Sequence, residues 1–300
     1  MRQVVFDSAD LRVVWVPAHC DVVRPNNTCP SGMIAGPGAV ANGAMPARPD
    51  VVFVTFESMM PVRDPDRPGF AEHFLQSRGY GAYHMQPKTN SWYQYPEMAE
   101  ALAMVRKAIA PGTRVVTYGS SMGGYGAYRF SAPLRADKVI AFSPQYSINR
   151  FRTWWERRWA ADGRPLIWDR QAPHHGGDLF IFYDPLNTDR HHIRGMRREA
   201  DIRPVRMFFS GHASIAYVQE LGFLEKAVLD IAEDRFDAAA FEALLWERRL
   251  GSSTYQRMRR RKRTGVLRRL KYALIEARLE RHFSGTPALP LPAKDAPVAG

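Results

Sequence analysis

Along the chain, apolar runs of strand length alternate with segments whose apolar residues recur at helical spacing. VVFVTF (51–56) is continuously apolar, the pattern of a parallel strand covered on both faces. Residues 69–78 place Phe70, Phe74 and Leu75 on one helical face, and Gly79 ends that segment. A short strand follows at 81–85. A helix at 96–109 starts at Pro96 and is closed by Pro111-Gly112. Further strands are expected at 114–118, 138–143, 179–183 and 205–210, and a helix at 216–232. Two β-rich runs joined by Asp7-Ser8-Ala9-Asp10 make residues 1–17 a hairpin. Strands alternating with helices predict an α/β fold, a mostly parallel sheet with helices on both faces.

Three segments break the rhythm. Residues 18–49 are rich in Gly, Pro, Asn and Ala and read as loop. Residues 144–178 carry Trp154, Trp155, Trp159 and Trp168 among arginines, and read either as a lid or cap insertion or as a helix covering the sheet. Beyond 235, helical patterns at 236–249 and 253–282 precede a Pro/Ala-rich stretch, 284–300, with the composition of a disordered tail. The expected organisation is a catalytic domain over 1–235, a basic helical appendage over 236–283, and that tail.

The 300-residue chain has an ordinary composition for a globular protein, with 45% hydrophobic and 24% charged residues. Its two cysteines, Cys20 and Cys29, do not form a disulfide framework. The start MRQVVFDSAD lacks a signal-peptide pattern, and no run of about 18 apolar residues occurs. The expected location is cytoplasmic, peripheral at a membrane if the appendage binds one. The formal net charge of +12 is concentrated between Arg248 and His282, where 13 Lys or Arg face two acids, Glu276 and Glu280. The body is therefore nearly neutral. The apolar positions Val266, Leu267, Leu270, Ala273, Leu274 and Ala277 recur at helical spacing among those charges. Such a helix can pack on the body and expose its charges, or dock an anionic membrane or an acidic partner through 248–282. Nucleic acid is the weakest of these readings, because no recognised binding fold accompanies the charge.

The chemistry centres on Gly119-Ser120-Ser121-Met122-Gly123, a G-x-S-x-G arrangement that directly follows the strand at 114–118 and precedes a helical segment. A nucleophilic serine needs a tight strand-to-helix turn, and a Cβ two residues to either side would clash there. Ser120 lacks that flanking, since Tyr118 and Met122 would occupy the two positions.

With this elbow, residues 50–232 resemble the α/β-hydrolase superfamily. The resemblance implies a triad in the order nucleophile, acid, histidine, with the last two following late strands. Asp184 directly follows LFIFY and His212 directly follows VRMFFSG, so Ser121, Asp184 and His212 are the expected triad. Asp178 and Asp189 are less favoured for the acid by position. His191 and His192 are read as a solvated polar pair at a helix start, and neither a metal nor a cofactor is expected. The oxyanion is expected to meet the backbone N–H of Met122 and a second N–H from the turn after VVFVTF, at Glu57 or Ser58. Phe56-Glu57-Ser58 departs here from the glycine-rich turn of many esterases. Asn90, Trp92 and Tyr93 follow a strand on the expected active face and are candidates for binding a polar head group or sugar. The implied activity is hydrolysis of a small-molecule or glycan ester through an acyl-enzyme. The alternatives are acyl transfer by the same triad, or a silent binding protein docked through its basic helix. Removing 250–300 is expected to spare ester turnover.

Overall fold

A computed structural model of the protein describes residues 2–18, 48, 50–61, 64, 66–159, 166–170, 172–173 and 177–284. The loop at 18–49 with its cysteines, and the Pro/Ala-rich stretch, lie almost wholly outside the described residues.

Eight strands form one sheet: β1 (Gln3–Asp7), β2 (Leu11–Val16), β3 (Val51–Phe56), β4 (Gly81–Pro87), β5 (Arg114–Ser120), β6 (Lys138–Phe142), β7 (Asp178–Tyr183) and β8 (Arg203–Arg206). Their order across the sheet is β1-β2-β4-β3-β5-β6-β7-β8. The pairs β1–β2 and β2–β4 are antiparallel and all others parallel. This is the hairpin-edged, mostly parallel sheet that the alternating pattern predicts. The chain steps outward from β3 to β4 and then returns to the other side of β3 with β5. That reversal creates a crevice at the carboxyl ends of β3 and β5, where open α/β sheets bind ligands.

The continuous apolar strands are explained by cover on both faces. Val52, Val54 and Phe56 pack with α2 (Met98–Ala108) and α3 (Met122–Arg129), while Val51 and Phe53 face the opposite cluster. That second cluster is closed by α6 (Ser214–Glu220), α7 (Leu224–Ala232), α8 (Ala238–Arg248), α9 (Ser253–Lys262) and α10 (Val266–Phe283). The shorter helices are α1 (Glu72–Ser77), α4 (Ser131–Leu134) and α5 (Asp189–Met196).

Several boundaries differ from the sequence reading, each for a backbone reason. The strand expected at 205–210 ends at Arg206, because the Ser210 N–H turns back to Met207 O and Phe209 and Gly211 both have φ of 64°. The helix expected over 216–232 is two helices, interrupted at Gly222 with φ +76°. The basic helix expected at 253–282 is likewise two, interrupted at Gly265 with φ +83°. The 144–178 insertion has no helix among its described residues. Trp159 and Trp168 pack against the α2–α3 cluster, whereas Trp154 is 79% exposed.

Candidate active site

β5 runs directly into α3 through Ser121, whose φ of 54° and ψ of −117° are rare for a residue bearing a side chain. Such a conformation costs about 1–3 kcal/mol and persists only where its surroundings enforce it. Here the Ser121 N–H donates to Phe142 O at 2.8 Å, and Ser121 O accepts from Tyr125 N at 2.9 Å. The flanking glycines are required by contact. A Cβ on Gly119 would lie 2.3 Å from Gly123 O, and one on Gly123 would lie 2.1 Å from Phe56 O. The turn therefore presses the start of α3 against the end of β3, at the crevice.

Ser121 Oγ lies 2.9 Å from His212 Nε2, and His212 Nδ1 lies 2.9 Å from Asp189 Oδ2. A proton on Nδ1, facing a carboxylate, leaves Nε2 as the acceptor for the serine hydroxyl. The expected partner Asp184 is not at the imidazole. It is fully buried and accepts two backbone N–H bonds, from Leu186 at 2.8 Å and Gly211 at 2.9 Å. The structure places Asp189, and not the expected Asp184, against the His212 ring. The chain after β7 makes a turn closed by Asn187 N to Asp184 O, and Asp189 at the start of α5 is thereby carried to the ring. Asp184 instead ties the loop after β7 to the loop that ends in His212.

The two aspartates differ electrostatically. Burial pushes Asp184 up to about 6, against smaller downward effects of Lys262 and its two N–H donors. Burial also pushes Asp189 upward, but the hydrogen bond from His212 and the charges of His212 and Arg158 together hold it below the ordinary carboxylate value. Of the two, Asp189 is thus the one whose charged form its partners favour.

Sequence reasoning missed the support behind Asp189. Arg158, from the 144–178 insertion, donates to Asp189 Oδ1 at 2.9 Å and to the Glu156 carboxylate at 2.5–3.1 Å. Glu156 also accepts from His192 Nε2 at 3.0 Å, and His192 Nδ1 accepts from Tyr146 N at 3.1 Å. Desolvation raises Glu156, yet the Arg158 and His192 hydrogen bonds hold it far below its ordinary value. His192 is fully buried in this chain, not solvated as the sequence suggested; only His191 keeps partial exposure. Next to Arg158, Trp159 faces His212 with ring centroids 6.2 Å apart and packs on Trp92 at 5.2 Å.

On the other side of Ser121, the first-turn N–H of Met122 has no intrahelical acceptor available. The turn after β3 is braced from several directions. Tyr93 Oη donates to Glu57 O at 2.9 Å, and Ser58 Oγ donates to Ser120 O at 2.7 Å. The Glu57 side chain is buried in a bidentate pair with Arg67. Asn90 bonds both the N–H and the carbonyl of Met60. Since a trans peptide points its C=O and N–H in opposite directions, Tyr93 also aims the Ser58 N–H away from itself. Asn90 and Tyr93 thus brace the turn that was expected to supply the second oxyanion donor, and Trp92 is buried against Tyr125 and Trp159. Ser121 remains half-buried and the His212 side chain is 27% exposed, so the pair is reachable from solvent.

No protein-family model matches the chain, and no curated protein matches its sequence. Among solved structures, the capsule O-acetyltransferase of Neisseria meningitidis serogroup A is 12% identical over 74% of this chain and 93% of its own, with a TM-score of 0.45. A thermophilic esterase from the Planctomycetes species Thermogutta terrifontis, with propionate bound, is 15% identical over 78% of this chain and 92% of its own, with a TM-score of 0.44. The apo form of Thermogutta terrifontis esterase 2 is 14% identical over 69% and 82%, with a TM-score of 0.39. At these identities and scores the likeness says nothing of substrate.

Proposed function

We propose that the protein is a serine hydrolase that cleaves a carboxylic ester through an acyl-enzyme on Ser121. The observation that carries this reading is the hydrogen-bonded chain Ser121–His212–Asp189, set on a strained elbow at the carboxyl end of β5.

Ser121 Oγ attacks the ester carbonyl carbon while His212 Nε2 takes its proton. The carbonyl electron pair becomes an oxyanion, met by the backbone N–H of Met122 and by that of Glu57 or Ser58. Asp189 holds the imidazole with Nε2 toward the serine and stabilises the imidazolium without itself taking the proton. Collapse of the intermediate breaks the bond to the alkoxy oxygen, which leaves with the His212 proton. Water then repeats the sequence on the acyl-serine and releases the acid. An alcohol in place of water would give acyl transfer, and the same groups serve both.

A fluorophosphonate probe tests the reading. Wild type should be labelled once per chain and Ser121→Ala not at all. Turnover of a short p-nitrophenyl ester should fall by roughly three orders of magnitude or more in Ser121→Ala and in His212→Ala. Wild type that resists the probe, or His212→Ala that retains near-full turnover, would overturn it. Product analysis with an added alcohol separates hydrolysis from transfer.

A further inference from the structure

α10 is amphipathic in an unusual sense, because it has apolar residues on both of two opposite faces. The inner face packs on the body: Tyr272 meets Phe209 with centroids 6.0 Å apart, and Phe283 stacks on Trp246. Ile275 and Leu279 belong to the same cluster. The outer face carries Val266, Leu267, Leu270 and Leu274, which are 81%, 84%, 61% and 65% exposed. At about 100° per residue these four fall within one stripe roughly 100° wide, opposite the buried one. They are four of the ten large hydrophobic side chains exposed among the described residues, so this is clustering and not ordinary surface scatter.

The exposed and unpaired charges of α10 are of one sign. Arg268, Arg269, Lys271, Arg278 and Arg281 are all exposed, and none makes an ion pair among the described residues. The acids of the region are turned to other work. Glu276 pairs with Arg259 and Arg263, and Glu280 pairs with Arg249. Arg257, Arg260 and Arg261 on the neighbouring α9 are exposed cations as well. No helix among the described residues is long and apolar enough to cross a membrane.

We propose that the outer face of α10 docks in the plane of an anionic lipid bilayer, with Val266, Leu267, Leu270 and Leu274 inserted at the acyl boundary and the flanking arginines and lysine at the phosphates. An apolar stripe bordered by cations fits that interface on both counts: the side chains leave water, and the charged heads reach the headgroup layer along their aliphatic stems. A polyanion such as nucleic acid would satisfy the cations but leave the leucines in water. The surface stands apart from the ester chemistry and does not depend on it.

Co-sedimentation of the full chain with vesicles decides the matter. One set contains about 30% phosphatidylserine in phosphatidylcholine and the other phosphatidylcholine alone. Wild type should partition at least tenfold more strongly onto the anionic vesicles. The L267S/L270S/L274S variant should lose at least tenfold of that binding. Substituting Arg268, Arg269 and Lys271 by Gln should abolish the preference for anionic lipid. These side chains are exposed, so an unchanged circular dichroism melt is expected and shows that each variant is folded. Equal partition onto neutral vesicles would overturn the proposal. So would binding that salt alone abolishes while the serine variant binds like wild type, because that outcome marks a general polyanion surface.

Discussion

At the scale of single residues, the assignment turns on two aspartates five positions apart. Asp184 sits where a triad acid is expected, directly after a strand, and its position is legible in the sequence. What the sequence does not carry is the turn Asp184–Asn187, which uses Asp184 as a backbone acceptor and delivers Asp189 to His212. Asp189→Asn should lower kcat by about four orders of magnitude with the fold retained, because the amide cannot hold the Nδ1 tautomer. Asp184→Asn should cost kcat less than about a hundredfold, since it touches His212 only through the Gly211 N–H. The reverse ranking would restore Asp184 as the acid. Asp184 should also leave a stability signature. Its folded-state value near 6 lies above the ordinary 3.8, so the native state binds more protons than the unfolded state between those values. Stability from this group is fully present below about pH 4 and falls as pH rises toward 6, by at most about 2–3 kcal/mol. Comparing denaturant midpoints of wild type and Asp184→Asn from pH 4 to 7 should show that decline only in wild type.

At the scale of elements, the strands and the elbow were readable because local physics decides them. VVFVTF has one stable environment, and Gly119 and Gly123 answer to contacts within their own turn. The end of the last strand and the helix breaks are not legible in the same way, because Phe209, Gly211, Gly222 and Gly265 act through backbone conformations that periodicity does not record. The insertion was opaque for another reason: its role is set by partners far away in sequence. Arg158 meets Asp189 across 31 positions, and His192 meets Glu156 across 36. Arg158 is one-third exposed at its side chain, yet it holds an oxygen of a nearly inaccessible carboxylate. We read it as a positioning residue. Arg158→Met should lower kcat by about tenfold with little change in KM, as a loosened acid weakens orientation of the base and leaves ground-state binding alone. A rise in KM at unchanged kcat would place Arg158 against the substrate instead.

At the scale of the whole molecule, the appendage is part of the body's packing and of the site's support. Tyr255 on α9 is buried between Phe209 and Trp246, and the Tyr217 hydroxyl reaches Leu245 O on α8. The start of α9 is held by the Glu220 carboxylate, which accepts from Ser252, Ser253 and Thr254. From there α9 touches the loop that presents Asp189 and the loop that bears His212. Lys262 donates to Leu186 O at 2.7 Å, beside the turn that presents Asp189, and a Cβ on Gly211 would lie 2.7 Å from Met258 Cε. The expectation that residues 250–300 could be removed without loss of turnover is therefore replaced by its opposite. Tyr255→Ala opens a cavity under the His212 loop and should cost about 3–5 kcal/mol, read as a fall in Tm of roughly 10 °C or more. At temperatures where the variant is still folded, its kcat should fall more than its affinity for a substrate analogue, because the loop bearing His212 has lost its floor. The serine substitutions on the outer face of α10 should move neither quantity. Inner and outer faces of the same appendage thus separate in one experiment, and equal effects of the two kinds of substitution would show that α9 and α10 act on the site as one rigid unit.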